Sequence, residues 1–222
     1  MNTAPLYVEI LFVLTTLLTL WLLYRATHNS TFTILEVSSW LALQAGLSMT
    51  GFYTVTTTVP PRFILLILPP LLVIIGLFTT QRGKKFIDSL DTSTLTLLHC
   101  VRIPVELTLF WLCAAKMVPE LMTFEGRNFD IFSGISAPII YYFGYKRQML
   151  GKSIIIIWNC ICLGLLLNIV ITAILSAPTL FQQFAFHQPN IGVMYFPFVW
   201  LPCFIVPVVL FSHLVNLRKL VQ

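Results

Sequence analysis

The sequence predicts an all-α protein, a polytopic membrane helix bundle that crosses the bilayer about seven times. Of its 222 residues, 58% are hydrophobic and only 9% are charged, whereas soluble domains carry about 25% charged residues. Apolar runs of the roughly 20 residues that a membrane helix needs also recur from end to end. The polar gaps between these runs are too short for a separate soluble domain, so residues 1–222 are predicted to form a single integral membrane domain.

Seven runs have the hydropathy of membrane helices, and a helix satisfies its backbone groups without water. The fifth run is shorter than a perpendicular helix needs, which predicts a tilted, extended or re-entrant segment. Prolines lie within the third, fourth, fifth and seventh runs. Each proline frees a carbonyl one turn earlier, so we expect kinked helices that pack together. The predicted spans are residues 6–24, 33–55, 63–80, 92–113, 131–145, 153–175 and 193–214.

The basic residues predict the orientation of the bundle, because Lys and Arg concentrate in cytoplasmic loops. One side of the predicted topology carries Arg25, Arg82, Lys84, Lys85, Lys146, Arg147, Lys152, Arg218 and Lys219. The other side carries only Arg62, Lys116 and Arg127. The N-terminus is therefore predicted outside and the C-terminus in the cytoplasm. The net charge of +5 thus comes from Lys and Arg residues that are distributed over short loops and do not form a basic stripe. Nucleic acid is therefore not an expected partner.

The fourth run carries the strongest chemical signal, in His99, Arg102 and Glu106. Spacings of three and four residues place all three on one helical face. A charge at the bilayer centre costs about 2.5 to 3.5 kcal/mol, so this face should point into the bundle. One interpretation is a ligand or proton site, in which Arg102 receives an anion and Glu106 or His99 exchanges protons. The alternative is a structural Arg102–Glu106 pair that locks helix packing.

The predicted outer loop before the fifth run mixes acids and a base with phenylalanines, which makes it amphipathic. Its charged candidates are Glu125, Arg127 and Asp130. These residues suggest a lid over the outer mouth of the bundle, while a surface loop tied down by helix caps and ion pairs is the competing interpretation. In either case, the Asp130 side chain could cap the fifth helix.

The sequence gives little support to a cofactor or to an enzyme. A haem would need two histidines at similar depth, yet His213 is predicted near the cytoplasmic end of the seventh run, too shallow to match His99. No ligand cluster favours a metal, and no lysine in the last run favours a retinal Schiff base. No cofactor or metal is therefore expected. The familiar phosphate-loop, nucleophile-elbow and zinc-protease patterns are also missing from the sequence.

Three segments resemble a known group of proteins. They are HCVRIPVEL at 99–107, PELMTFEGRNFDIFSGISAPIIYY at 119–142 and FPFVWLPCFIVPVVLFSHLVNL at 196–217. In these segments the chain resembles an uncharacterised family of small polytopic bacterial inner-membrane proteins with no assigned activity. The resemblance implies a multi-pass location in a bacterial inner membrane, and it implies no substrate, cofactor or residue role.

Three functional hypotheses follow from these patterns. The first is a small-molecule or proton-linked permease whose cavity is lined by the fourth-run residues and covered by the outer loop. The second is an accessory or assembly subunit, whose charges in the spans pair with another membrane protein or with a second copy of the chain. The third is a lipid-modifying membrane enzyme that uses the outer acids as general acid and base. Beyond the lipid bilayer itself, a small-molecule ligand is the partner that the first hypothesis implies.

Overall fold

The computed structural model describes residues 4–222, and this part of the chain is all-α with no strand. Short 3-10 turns and two π-helical segments connect or extend the α-helices. A helix overlaps each of the seven predicted ranges. The helices are α1 (Leu6–Ala26), α2 (Thr31–Met49), α3 (Ile64–Thr79), α4 (Gln81–Ser89), α5 (Thr92–Leu98), α6 (Arg102–Ala114), α7 (Ile131–Ile140), α8 (Lys152–Leu175) and α9 (Val206–Val221).

Four helical segments within the described residues are long and apolar enough to cross a membrane. They are Leu6–Ala26, Thr92–Ala114, Lys152–Leu175 and Leu201–Val221, of 21 to 24 residues each. Large apolar side chains stay exposed on their outer faces, such as Leu14 on α1 and Ile161 on α8. Such a surface is favourable in lipid and costly in water. These helices are therefore compatible with a location in a membrane.

The third predicted span, residues 63–80, corresponds to α3, and α4 follows it at an angle of 93°. The bend falls at Thr80, whose side-chain oxygen accepts a hydrogen bond from the Gly83 backbone N–H and so caps α4. A Cβ on Gly83 would overlap the backbone of Leu77. Only glycine therefore allows α4 to pack this closely against the end of α3.

Two helices differ by six residues or more from the predicted bounds. The second ends at Met49 instead of residue 55, and Gly51 follows with a φ of 74°, a conformation that favours glycine. The last begins at Leu201 instead of residue 193, with a π-helical first segment, and it continues to Val221. Pro202 lies in its first turn, where the missing N–H costs no helical bond.

The fifth predicted span consists of α7 and a π-helical extension from Tyr141 to Lys146. The fourth is interrupted by a 3-10 turn at His99–Val101 that joins α5 to α6 just before Pro104. Helices α1, α7 and α9 all contact the α5–α6 segment, and α8 packs on α9. The α5–α6 segment is therefore the central element of the bundle, and its polar face is enclosed by other helices.

Candidate functional site

Arg102 forms the centre of a buried polar cluster at the start of α6. Its Nη1 lies 2.9 Å from Oδ1 of Asp130, and both side chains are almost completely buried. The alternative of a direct Arg102–Glu106 pair is therefore wrong. The reason lies in α7, where Gly134 brings the helix so close that a Cβ there would lie 3.0 Å from the Ile103 backbone nitrogen. This close packing brings Asp130, at the start of α7, to the guanidinium.

The guanidinium also contacts α8 and α9. Its Nη2 lies 3.2 Å from Nε2 of His213, and its Nη1 donates to the Cys162 carbonyl over 3.4 Å. Because a guanidinium can only donate, Nε2 of His213 must accept, which leaves the proton on Nδ1. That Nδ1 lies 2.9 Å from Oδ1 of Asn159, whose Nδ2 donates to the Ile155 carbonyl. The contacts therefore fit a neutral His213 in a single tautomer.

His99 stacks face to face on His213, with ring centroids 3.9 Å apart and planes at 19°. The edge of Trp158 packs beside it, with centroids 5.6 Å apart. Neither ring nitrogen of His99 has a hydrogen-bond partner within residues 4–222. The prediction that His213 is too shallow to match His99 is wrong, because the last helix continues to Val221 and so carries His213 away from its end.

The histidine geometry does not fit a haem. Two axial ligands must approach the iron from opposite faces of the porphyrin, whereas these rings stack directly on each other. In the described part of the chain, no group of three or more His, Cys, Asp or Glu side chains could hold a metal ion.

Glu106 lies one helical turn after Arg102, is 1% exposed, and contacts a different partner. Its Oε1 accepts a hydrogen bond of 2.6 Å from Nδ2 of Asn128, while its Oε2 has no partner among the described residues. Asn128 also donates to the Met122 carbonyl, and its Oδ1 accepts from the Asp130 backbone N–H. Asn128 therefore connects the two acids, yet sequence reasoning missed it because its only signal was an amide two residues before Asp130.

The three lid candidates of the predicted outer loop separate in the structure. Asp130 is buried in the polar cluster, and its side chain makes no cap bond to α7, so the predicted capping role is wrong. Glu125 and Arg127 are exposed. The Arg127 carbonyl accepts a hydrogen bond from Asn168 on α8, which ties the loop to that helix. Of these candidates, only Asp130 reaches the groups of the fourth span.

A cavity of about 220 Å³ lies beside the cluster. Its walls are largely apolar and come from α3, α6, α8 and the last helix, with Leu109, Leu166 and Pro207 among them. Glu106 and Asp130 both line this cavity, whereas Arg102 and His99 do not. The charged side chains that line the cavity are therefore both acids.

Charge balance within the cluster is incomplete. Arg102 is its one arginine or lysine among the described residues, and it lies beside Asp130, while Glu106 receives only a neutral amide. An ionised carboxylate in such a place is costly unless it is paired, neutralised or protonated. The arrangement can therefore accept a proton or a cationic group at Glu106.

Comparisons with known proteins identify a family of unknown function. No curated protein and no solved structure matches the chain. A family model does match residues 59–221, a range that contains α3 to α9 and every residue of the polar cluster. The chain therefore belongs to the family described as domain of unknown function (DUF8737).

Proposed function

We propose that this protein is a small-molecule or proton-linked permease of a bacterial inner membrane, with its ligand site in the cavity beside α6. The proposal includes seven spans, with the N-terminus outside and the C-terminus cytoplasmic. Two observations support that arrangement: helices occur in all seven apolar ranges, and Lys and Arg are concentrated on one side of the resulting topology.

The observation that carries the proposal is the position of Glu106 at an apolar cavity without an arginine partner of its own. Its Oε2 has no protein partner within residues 4–222. A group retained only for helix packing would be expected to have its hydrogen-bonding capacity satisfied. Glu106 instead presents a carboxyl group to space that a ligand can fill.

The cavity favours a small cation with an apolar body. Arg102 lies beside Asp130 and does not line the cavity, so a role for it in receiving an anion has no support from the geometry. Apolar walls such as Leu109 and Leu166 suit an alkyl group. A primary ammonium group could donate to Glu106, and a proton could occupy the same carboxyl group when the ligand leaves.

Ligand binding can be tested with three probes of matched length: hexylammonium, hexanol and hexanoate. Hexylammonium should raise the thermal midpoint of the detergent-purified protein, whereas hexanoate should not. Glu106→Gln should abolish this shift, and Glu125→Gln, which removes an exposed acid away from the cavity, should leave it unchanged. Equal shifts with all three probes would contradict a carboxylate site.

The stability of the ligand-free Glu106→Gln variant shows whether Glu106 is retained for function or for helix packing. Glu106→Gln keeps an oxygen that can accept the Asn128 hydrogen bond and removes the buried charge. Its thermal midpoint in detergent should therefore be unchanged or raised, as expected for a charge retained for function. A large fall in the midpoint would instead support a structural role.

Transport itself requires a closed compartment. Proteoliposomes that contain the wild type should take up radiolabelled butyltrimethylammonium, a permanently charged probe, when a pH gradient is applied, and Glu106→Gln should reduce uptake to the level of empty vesicles. This probe has no N–H to donate, so it tests charge pairing with Glu106 alone, and the thermal-shift assay checks that it binds. If it binds but is never taken up, the accessory-subunit hypothesis replaces the permease.

A further inference from the structure

A second and larger cavity opens between α2, α3 and the last helix. This groove has a volume of about 660 Å³, within the range of about 300 to 1,000 Å³ that is typical of ligand pockets. Its walls are mostly apolar and include Trp40, the adjacent Pro69 and Pro70, and Phe204. Phe32 and Val73 line it while remaining mostly exposed, so the groove is open along the outer surface of the bundle.

Helix α4 lies at one end of this groove and carries exposed basic residues. Phe86 of α4 is one of the lining residues. Arg82 lies four residues before Phe86, and therefore on the same face of the helix, with Lys85 three residues after Arg82. Both basic side chains are exposed, and neither makes an ion pair with any described residue.

The rest of α4 is fixed to the bundle. Gly83 and Ile87 are buried on its inner face. At its C-terminal end, Asp88 pairs with Arg218 over 3.4 Å, and the Asp88 carbonyl accepts from Lys219. Because α4 turns away from α3 by 93°, it lies across the end of that helix, as an amphipathic helix does at a membrane surface. The helix that carries Arg82 and Lys85 is thus fixed beside an apolar groove.

We propose that this groove binds an anionic phospholipid, with an acyl chain along α3 and the phosphate at Arg82 and Lys85. Charge complementarity selects this occupant, since clustered Lys and Arg beside a cytoplasmic membrane surface attract anionic lipid headgroups. The inference rests on the proposed orientation, with α4 at the cytoplasmic face, and it is independent of any transport activity.

One acidic residue limits how deep the headgroup can lie. Glu36 lines the groove on α2, five residues after the helix begins at Thr31, or about 7 Å along its axis. Its carboxylate repels a phosphate from that depth and favours a position near α4. The loop before α2 is held beside α4, because Nε2 of His28 lies 2.9 Å from the Ser89 carbonyl.

Native mass spectrometry of the detergent-purified protein can test the headgroup. Phosphatidylglycerol should bind more tightly than phosphatidylcholine with the same acyl chains. Each cation is worth about a fivefold change in affinity, so Arg82→Gln with Lys85→Gln should weaken phosphatidylglycerol binding about 25-fold. The matched control, Lys146→Gln with Lys152→Gln, removes the same charge from exposed sites away from the groove and should bind like the wild type.

The acyl-chain site is tested separately by filling the groove. Val73→Trp places a large side chain in the groove and should remove most of the bound lipid, whereas Ile75→Trp, at an exposed position on α3 that does not line the groove, should not. Equal affinity for the two headgroups, or equal losses from the two pairs of charge variants, would overturn the proposal. Equal lipid retention in the two tryptophan variants would overturn it as well.

Discussion

Helix α1 and the α5–α6 segment both bury polar side chains among apolar ones, but they satisfy them in different ways. Thr15, Thr16 and Thr19 each donate to a carbonyl four residues earlier in α1, over 2.8 to 3.0 Å. Arg102 instead contacts groups from α8, α9 and the start of α7. Polar groups that form hydrogen bonds within one helix do not determine which helices pack against it. Those of α5–α6 find their partners on other helices, so they require a particular arrangement of the bundle.

The largest expected effect that tests this comparison is the loss of the central cation. Arg102→Met would leave Asp130 buried without its partner, which typically costs about 3 to 5 kcal/mol of unfolding free energy. Reversible unfolding by SDS titration from mixed micelles measures this quantity. If the protein lost little stability, the cross-helix cluster would be no more important to the bundle than the threonines of α1.

A double variant shows whether the unpaired charge of Asp130 causes that loss of stability. Arg102→Met combined with Asp130→Asn removes both charges and keeps the shape of the acid, so it should regain much of the stability lost by Arg102→Met alone. If the double variant is as unstable as the single one, the loss comes from the contacts of Arg102 with His213 and Cys162 instead of its charge.

A smaller effect is expected from the backbone contact that brings Asp130 to Arg102. Gly134→Ala would place a methyl group 2.9 Å from the Ile103 side chain and 3.0 Å from its backbone nitrogen, and such overpacking typically costs about 1 to 3 kcal/mol. Gly164→Ala on α8 is the matched control, because no atom lies within 4 Å of its added Cβ. The same SDS titration should show a loss for Gly134→Ala alone, and equal results would contradict close packing of α6 on α7.

The sequence predicted the helical content and the burial of His99, Arg102 and Glu106, since hydropathy and helical spacing are local properties. It could not identify the partner of Arg102. Glu106 was the obvious choice because it lies four residues away on the same helix, whereas Asp130 reaches the guanidinium only because Gly134 permits close packing of α7. The residue that pairs with Arg102 is determined by tertiary contacts, which sequence spacing does not predict.

The depth of His213 was mispredicted for a related reason. Hydropathy placed the last span at 193–214, but the last helix begins at Leu201 with a π-helical segment and continues through basic residues to Val221. A shift of about two turns moved His213 from the predicted end of a span to a position beside His99. Errors in helix bounds therefore become errors about which residues share a site.

The smallest expected effect compares two threonines that have the same type of local hydrogen bond. Thr96 donates to the Thr92 carbonyl, as the α1 threonines do within their helix, but it also accepts from Nδ2 of Asn216 on α9. Thr96→Val should therefore lower the unfolding free energy by about 0.6 to 1.7 kcal/mol, the range for hydrogen bonds between membrane helices. Thr19→Val removes only a bond to a carbonyl of its own helix and should have little effect. Equal losses in the SDS titration would mean that contacts across helices add nothing to local ones, and the distinction between α1 and α5–α6 would fail.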